Sequence, residues 1–243
     1  MPKTVSRAST TGTSGMCTRI GVGAAGGFYP APHRYQLYLS LNCPRSLCLS
    51  ITLGLLGLED SVATTVVALP TETPDACASL RSAYEATWHR YEGPLTAPAL
   101  CDRWSGRIVS NHTPHILRDL AGLLTGHDEA CVPLLHPPAL AADIDALREL
   151  LDRDVTSTAG PAARSATLDL LDRQLATHTY VLGEGLTAAD VDVWVALTHL
   201  DVPDALSRHS HLRAYVRRLA EHPAFQRAAS VRPSPERSAT GVG

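Results

Sequence analysis

Cys43 is preceded by Tyr35-Gln36-Leu37-Tyr38-Leu39-Ser40-Leu41-Asn42 and followed by Pro44. The alternation of Tyr35, Leu37, Leu39 and Leu41 with Gln36, Tyr38 and Ser40 predicts a strand. Pro44 suits the first position of a helix, where its missing N–H costs nothing. Behind it Leu47, Ile51, Leu55 and Leu58 recur at helical spacing. Gly54 and Gly57 weaken this helix, and Gly57 can end it. Cys43 thus falls at a helix N-terminus, where free N–H groups and the helix dipole favour a thiolate. Such placement lowers a cysteine pKa from about 8.5 into the range of roughly 3.5–7.5. The chemistry on offer is nucleophilic attack or thiol–disulfide exchange; the plain alternative is a buried, inert cysteine. Arg45 can stabilise the anion or meet a substrate carboxylate, or be a solvated surface cation. Cys48, five residues on, shares no helix face with Cys43, so a redox pair is not expected.

The elements that must position this thiol follow from pattern. Ser61–Val67 is a β-branched run and makes a second strand, parallel to the first across a helical crossover. Ala76–Trp88 can be helical, after a proline-bearing loop. Leu95–Asp102 is a turn into a short strand, Arg103–Gly106 a tight connection, and Arg107–Ser110 the returning strand. A helix from Thr113 to about Leu124 begins with Pro114 well placed and Ser110, Asn111 or Thr113 as its cap.

The order β-α-β-α-β-β-α is thioredoxin-like, and the residues resemble the thioredoxin-like domain of glutathione transferases, closest to the xi class, the glutathionyl-hydroquinone reductases. Tyr29–Pro44 resembles that class's approach to its catalytic cysteine, Ala97-Pro98-Ala99-Leu100 its loop with a cis proline, and Ile108-Val109-Ser110-Asn111 the strand leading to the γ-glutamyl site. The resemblance runs from about Phe28 to Phe225. It implies a thioredoxin-like N-terminal domain followed by an all-α helical bundle, with a thiol cofactor, glutathione or another small thiol, in the cleft between them. Catalysis is expected at Cys43 and Arg45, and thiol binding at Ala97, Pro98, Ser110, Asn111, His112 and Thr113. From residue type alone Pro98 would be trans; the resemblance implies cis, with the Ala97 backbone turned to pair with the cofactor. A homodimer is also implied.

The departures bear on function. The class continues its cysteine with Pro-Trp-Ala-His-Arg; here Pro44-Arg45-Ser46-Leu47-Cys48 stands. The class's Glu-Ser pair is replaced by His112-Thr113, and an imidazole pairs badly with the α-amino group of glutathione. Thr156 stands near where the class carries a tyrosine beside its quinone.

The second half has no strand signal. Ala139–Val155 is amphipathic, with Leu140, Ile144, Leu147, Leu150 and Leu151 inward and Asp143, Asp145, Arg148 and Glu149 outward. Ala162–Ala176 repeats the pattern. Thr187-Ala188-Ala189-Asp190 reads as a capping box opening a buried helix, Val191–Leu200, and its reading is structural. Two further helices follow, around Leu212–Leu219 and from Pro223. The domains are therefore drawn as 1–27, a disordered or loosely packed segment; 28–126, thioredoxin-like; 127–230, all-α; and 231–243, a disordered tail.

Composition excludes little else. A net charge of -3 gives no reason to expect nucleic acid or an anionic membrane as partner. No apolar run approaches the ~20 residues of a membrane span. The six cysteines form no CxxC pair or disulfide framework, which fits a reduced, cytoplasmic protein. His209-x-His211 lacks a third ligand at matching spacing, so no metal is expected. Three functions stay open. The first is a Cys43-dependent thiol transferase or reductive deglutathionylase acting on a small electrophile. The second is a lyase or isomerase in which Arg45 and His112 polarise the substrate without the thiol. The third is a non-catalytic binding protein.

Overall fold

The computed structural model describes residues 16–21, 27–40, 43–67, 74–124, 133–156, 158–200 and 206–230. The expectations for most of the N-terminal segment, the C-terminal tail and Leu41-Asn42 lie outside these residues.

Four strands form one sheet: β1 (Tyr35–Ser40), β2 (Ala63–Val67), β3 (Ala99–Asp102) and β4 (Arg107–Ser110), in the order β2-β1-β3-β4. β1 runs parallel to β2 and antiparallel to β3, and β3 pairs antiparallel with β4. The crossover between β1 and β2 is α1 (Pro44–Leu55), and α2 (Pro74–Thr87) precedes the hairpin. The central strands β1 and β3 are buried on both faces, as a crossover architecture requires, while β2 at the edge leaves Thr64 and Val66 exposed. On one face Tyr35, Leu37 and Leu39 meet α1; on the other Tyr38, Ala99, Cys101 and Ile108 meet Leu80, Ala83 and Tyr84 of α2. Tyr38, read as the polar partner in an alternating strand, is therefore core.

After β4, α3 (Thr113–Asp119) continues into a π-helical turn over Leu120–Leu124. The expected regular helix widens there, around Gly122, the poorest helix former of the stretch. The bundle comprises α4 (Ala141–Asp154), α5 (Pro161–Leu175), α6 (Ala188–His199), α7 (Ser210–Ala220) and α8 (Pro223–Ser230). Asp190 holds its centre. Its buried carboxylate accepts from the Thr187 N–H at 2.7 Å, the Val181 N–H at 2.9 Å and the Tyr215 hydroxyl at 2.7 Å. It is thus a cap as expected and also a tie between α6, α7 and the preceding turn.

Residues 16–21, drawn above within a loose segment, are docked. Cys17 bridges Ser110 beyond the edge of β4, and Ile20 is 3% exposed within the main core. The Ile20 N–H donates to the fully buried Asp119 carboxylate at 3.0 Å.

α1 joins the two halves. Its buried side chains share one continuous core with Val191, Trp194 and Val195 of α6 and with Ala224 and Phe225 of α8. The approach of α1 to α8 is close at Gly54, where a Cβ would stand 2.9 Å from the Ala224 Cβ and 3.2 Å from its Cα. Gly54, read as a weak point of the helix, is there because the neighbouring backbone leaves no room. Gly57 follows α1 with φ +64, the left-handed conformation that glycine adopts without strain. In an exposed helix Gly→Ala gains about 1 kcal/mol. Here Gly54→Ala is expected to lose about 2 kcal/mol through overpacking. Denaturant melts check this, and adding Ala224→Gly should make the double variant more stable than the two single losses predict. A Gly54→Ala protein more stable than the parent would contradict the packing described.

Candidate active site

Cys43 caps α1 from an extended conformation, φ -96 and ψ 117, with Pro44 as the first helical residue. Its side chain is half-buried, and no cap hydrogen bond occupies the sulfur. Sγ lies 4.0 Å from the Ala97 carbonyl oxygen, at the outer limit of a thiol hydrogen bond. The Ala97–Pro98 peptide is cis. Two features far apart in sequence, the thiol and the proline loop, thus lie side by side, and the proline is cis as the resemblance implied.

Beside them lies a cavity of about 540 Å³ between the domains. Pro44 and Arg45 form one wall, Asn111 to Pro114 a second, and Arg148, Asp152, Thr156, Asp192 and His199 of the bundle the third. Arg45 is exposed and makes no ion pair among the described residues. Cys43 stands next to this cavity without being part of its lining.

The candidate thiol-binding residues divide. His112 and Thr113 face the cavity. Asn111 also lines it, but its side chain is committed within the fold. Its Oδ1 accepts the Met16 N–H at 2.9 Å, and its Nδ2 donates to the Tyr84 and Thr96 hydroxyls, each at 3.2 Å. Ser110 is fully buried, and its hydroxyl accepts the His112 N–H at 3.1 Å. Its side chain therefore shapes the turn into α3 rather than meeting a ligand.

Burial, then the positive charge of His115, Arg118 and Arg45, holds the His112 pKa below the ordinary imidazole value. His112 is accordingly neutral at neutral pH, a hydrogen-bond acceptor rather than a cation. His136 is pushed down to about 4, chiefly by burial and then by Arg148 and Arg118.

One group that pattern reading missed sits in the cavity wall. Arg148 was placed on the outer face of its helix. Instead its guanidinium pairs with Asp192 of α6 at 2.8 Å, with little exposure of either side chain. The Cys48 thiol donates to the same carboxylate at 3.6 Å. Burial, then the Asp192 charge, drives the Cys48 pKa well up, so this thiol is a neutral donor and not a second nucleophile. Burial raises Asp192 as well, against the opposing pull of Arg148. A charge at every third or fourth position of a helix is ordinarily solvated, and only a partner on another helix says otherwise. Thr156 also reaches the cavity.

Comparison with known proteins places this geometry. Residues 137–218 match the family described as glutathione S-transferase, C-terminal domain. The glutathionyl-hydroquinone reductase PcpF of Sphingobium chlorophenolicum is 28% identical over 250 residues, covering 90% of this chain and 78% of that protein. The glutathione-S-transferase Xi of Phanerochaete chrysosporium superposes with a TM-score of 0.70 at 24% identity, over 91% of this chain and 89% of its own. The glutathione-bound structure of YqjG, a glutathione transferase homolog of Escherichia coli K-12, does so with a TM-score of 0.66 at 25% identity, over 87% and 81%. Residues 137–218 are a glutathione S-transferase C-terminal domain, and the chain as a whole has the fold of the Xi-class glutathione transferases.

Proposed function

We propose that the protein is a glutathione-dependent enzyme that removes a thiol from a small thioether, with Cys43 as nucleophile. The single observation that carries this is the placement of Cys43. It has a free, half-buried sulfur at the start of α1, opposite the Ala97 carbonyl and beside an inter-domain cavity. The likeness to PcpF, a glutathionyl-hydroquinone reductase, supports the reaction class, and the likeness to a glutathione-bound homologue supports the thiol.

The Cys43 thiolate attacks the sulfur of the thioether and an S–S bond forms. The C–S bond breaks, and its electron pair stays on carbon, which takes a proton. A second glutathione thiolate then attacks the mixed disulfide, releasing oxidised glutathione and restoring Cys43. In sum the thioether and one glutathione thiol give the C–H product and oxidised glutathione, carbon gaining the two electrons that the sulfur pair gives up. Backbone N–H groups at the start of α1 stabilise the anion that attacks and leaves. Arg45, a cation with no ion-pair partner among the described residues, meets negative charge on the electrophile.

Glutathione would lie along Ala97 and reach His112 and Thr113 with its γ-glutamyl end. A neutral His112 accepts a hydrogen bond from the α-amino group where a carboxylate would pair with it fully, so binding is weaker than a Glu would give. All five described cysteines are free, which supports a reducing, cytoplasmic setting; a homodimer is proposed on the resemblance alone. Among the described residues no helix is long and apolar enough to cross a membrane.

A second reading has one observation in its favour: Arg45 and His112 line the cavity and Cys43 does not. In that case the substrate is polarised for elimination or isomerisation without a covalent step. The two readings part on substitution. With a glutathionylated hydroquinone as substrate, Cys43→Ser is expected to lower turnover at least about a thousandfold, as loss of an activated nucleophile does. Undiminished turnover in Cys43→Ser, with loss in Arg45→Ala, would establish the second reading instead.

The lowered pKa of His112 sets a pH dependence. Above its pKa, which lies below the ordinary 6.5, the imidazole is neutral. Below it the ring becomes a cation facing the α-amino group, worth about 1 kcal/mol of repulsion or roughly a fivefold loss of affinity. Calorimetric titration with S-methylglutathione should therefore show constant affinity from neutral pH down to about 6.5 and a fall at lower pH. His112→Glu should bind more tightly at neutral pH and hold that affinity over the same window. A profile unchanged by His112→Glu would remove His112 from the site.

A further inference from the structure

We propose that Cys17, His112 and His115 form a binding site for a borderline-soft divalent cation, zinc(II) foremost, which clamps the N-terminal segment to the start of α3. One ligand atom from each of the three lies within 4.8 Å of the other two. The arrangement is imposed by the fold. Cys17 is fixed by its bridge to Ser110, and its neighbour Met16 is bound on both polar groups by Asn111. The Met16 N–H donates to the Asn111 Oδ1 at 2.9 Å, and the Asn111 N–H donates to the Met16 carbonyl at 3.0 Å. His112 and His115 follow at helical i, i+3 spacing, with ring centroids 4.3 Å apart and planes at 68°.

A second observation points to a ligand. The Nδ1 of His115 is buried and has no hydrogen-bond partner among the described residues. Buried imidazole nitrogens are ordinarily paired, and an unpaired one calls for an ion or other group to satisfy it. One Cys and two His are the ligand types that zinc takes, and three protein ligands leave a fourth position to water. With Zn–S near 2.3 Å and Zn–N near 2.0–2.1 Å, tetrahedral ligand atoms stand roughly 3.5 Å apart. Closure from the observed spacing asks for about an ångström of movement, and Cys17 and His112 are exposed side chains free to make it.

The electrostatics make the proposal discriminating. The Arg118, Arg45 and Arg148 guanidiniums lie near enough to His112 to act on it electrostatically. The same positive charges, with the N-terminal end of α3, oppose a bare dication. The Cys17 thiol, releasing its proton to solvent on binding, supplies the negative charge that offsets them. The sulfur is thus indispensable to the site. Zinc on one His112 nitrogen leaves the other carrying a proton, so metal and the α-amino group of glutathione exclude each other at this side chain.

The experiment is a titration of the full chain with cobalt(II), followed by its ligand-field and thiolate charge-transfer absorption and then by displacement with zinc(II). One equivalent is expected to bind with a thiolate charge-transfer band. Cys17→Ser should abolish the band, and His115→Gln should weaken binding at least tenfold. Cys43→Ser should leave the band unchanged. Zinc(II) should raise the melting temperature of the parent and not that of Cys17→Ser, because only the folded chain assembles the ligands. Circular dichroism verifies that each variant is folded, and Cys17→Ser, at an exposed position, is the decisive one. Absence of the band in the parent, or its persistence in Cys17→Ser, would overturn the site. Neither result bears on Cys43, because no readout is catalytic activity.

Discussion

The structure depends on α1 being packed on two sides at once. It covers one face of the sheet, and it runs against α6 and α8 so closely that position 54 admits no side chain. A helix gripped by both domains cannot slide or rotate without opening the shared core. Its N-terminus, and so Cys43, is therefore held at a fixed place between them. The cavity exists where the sheet and bundle diverge beyond that end of α1.

Charge within the cleft follows from the same packing. Arg148 reaches Asp192 and also Asp145, which accepts Arg118 at 2.6 Å. Removing either member of the inner pair would leave a poorly solvated charge uncompensated, the costly way to break such a bond. Arg148 of the bundle and Arg118 of α3 are both occupied by bundle carboxylates. Arg45, on the thioredoxin-like side, is not, and it stands one helical residue past Pro44. The cleft thus presents the Arg45 guanidinium, without an ion-pair partner among the described residues, and the His112 imidazole to whatever enters, with the Cys43 thiol beside it.

The parts legible in the sequence are those encoded locally. The strand leading towards Cys43, Pro44 at the helix start, a second strand within the β-branched run and the Thr187/Asp190 cap all depend on neighbours within a few residues, and each of these elements forms. What was not legible depends on partners brought from far along the chain. Tyr38 is buried because α2 covers the second face of the sheet. Arg148 faces inward because Asp192 lies on another helix. Ser110 and Asn111 look like ligand residues, yet the turn and the docked N-terminal segment consume their polar atoms. Cys17 sits in a Ser-, Gly- and Thr-rich stretch with no periodicity, and nothing local announces that it will stand beside two histidines.

The account rests most directly on a sulfur–sulfur bond forming at Cys43. It is tested by mixing the full-length protein with a glutathionylated hydroquinone, without free thiol, and locating the modification by peptide mass spectrometry. The account predicts one glutathionyl group on the peptide carrying Cys43, formed in step with release of one equivalent of hydroquinone and removed by added glutathione. Release of hydroquinone with Cys43 unmodified, or from protein whose Cys43 had first been alkylated, would contradict it.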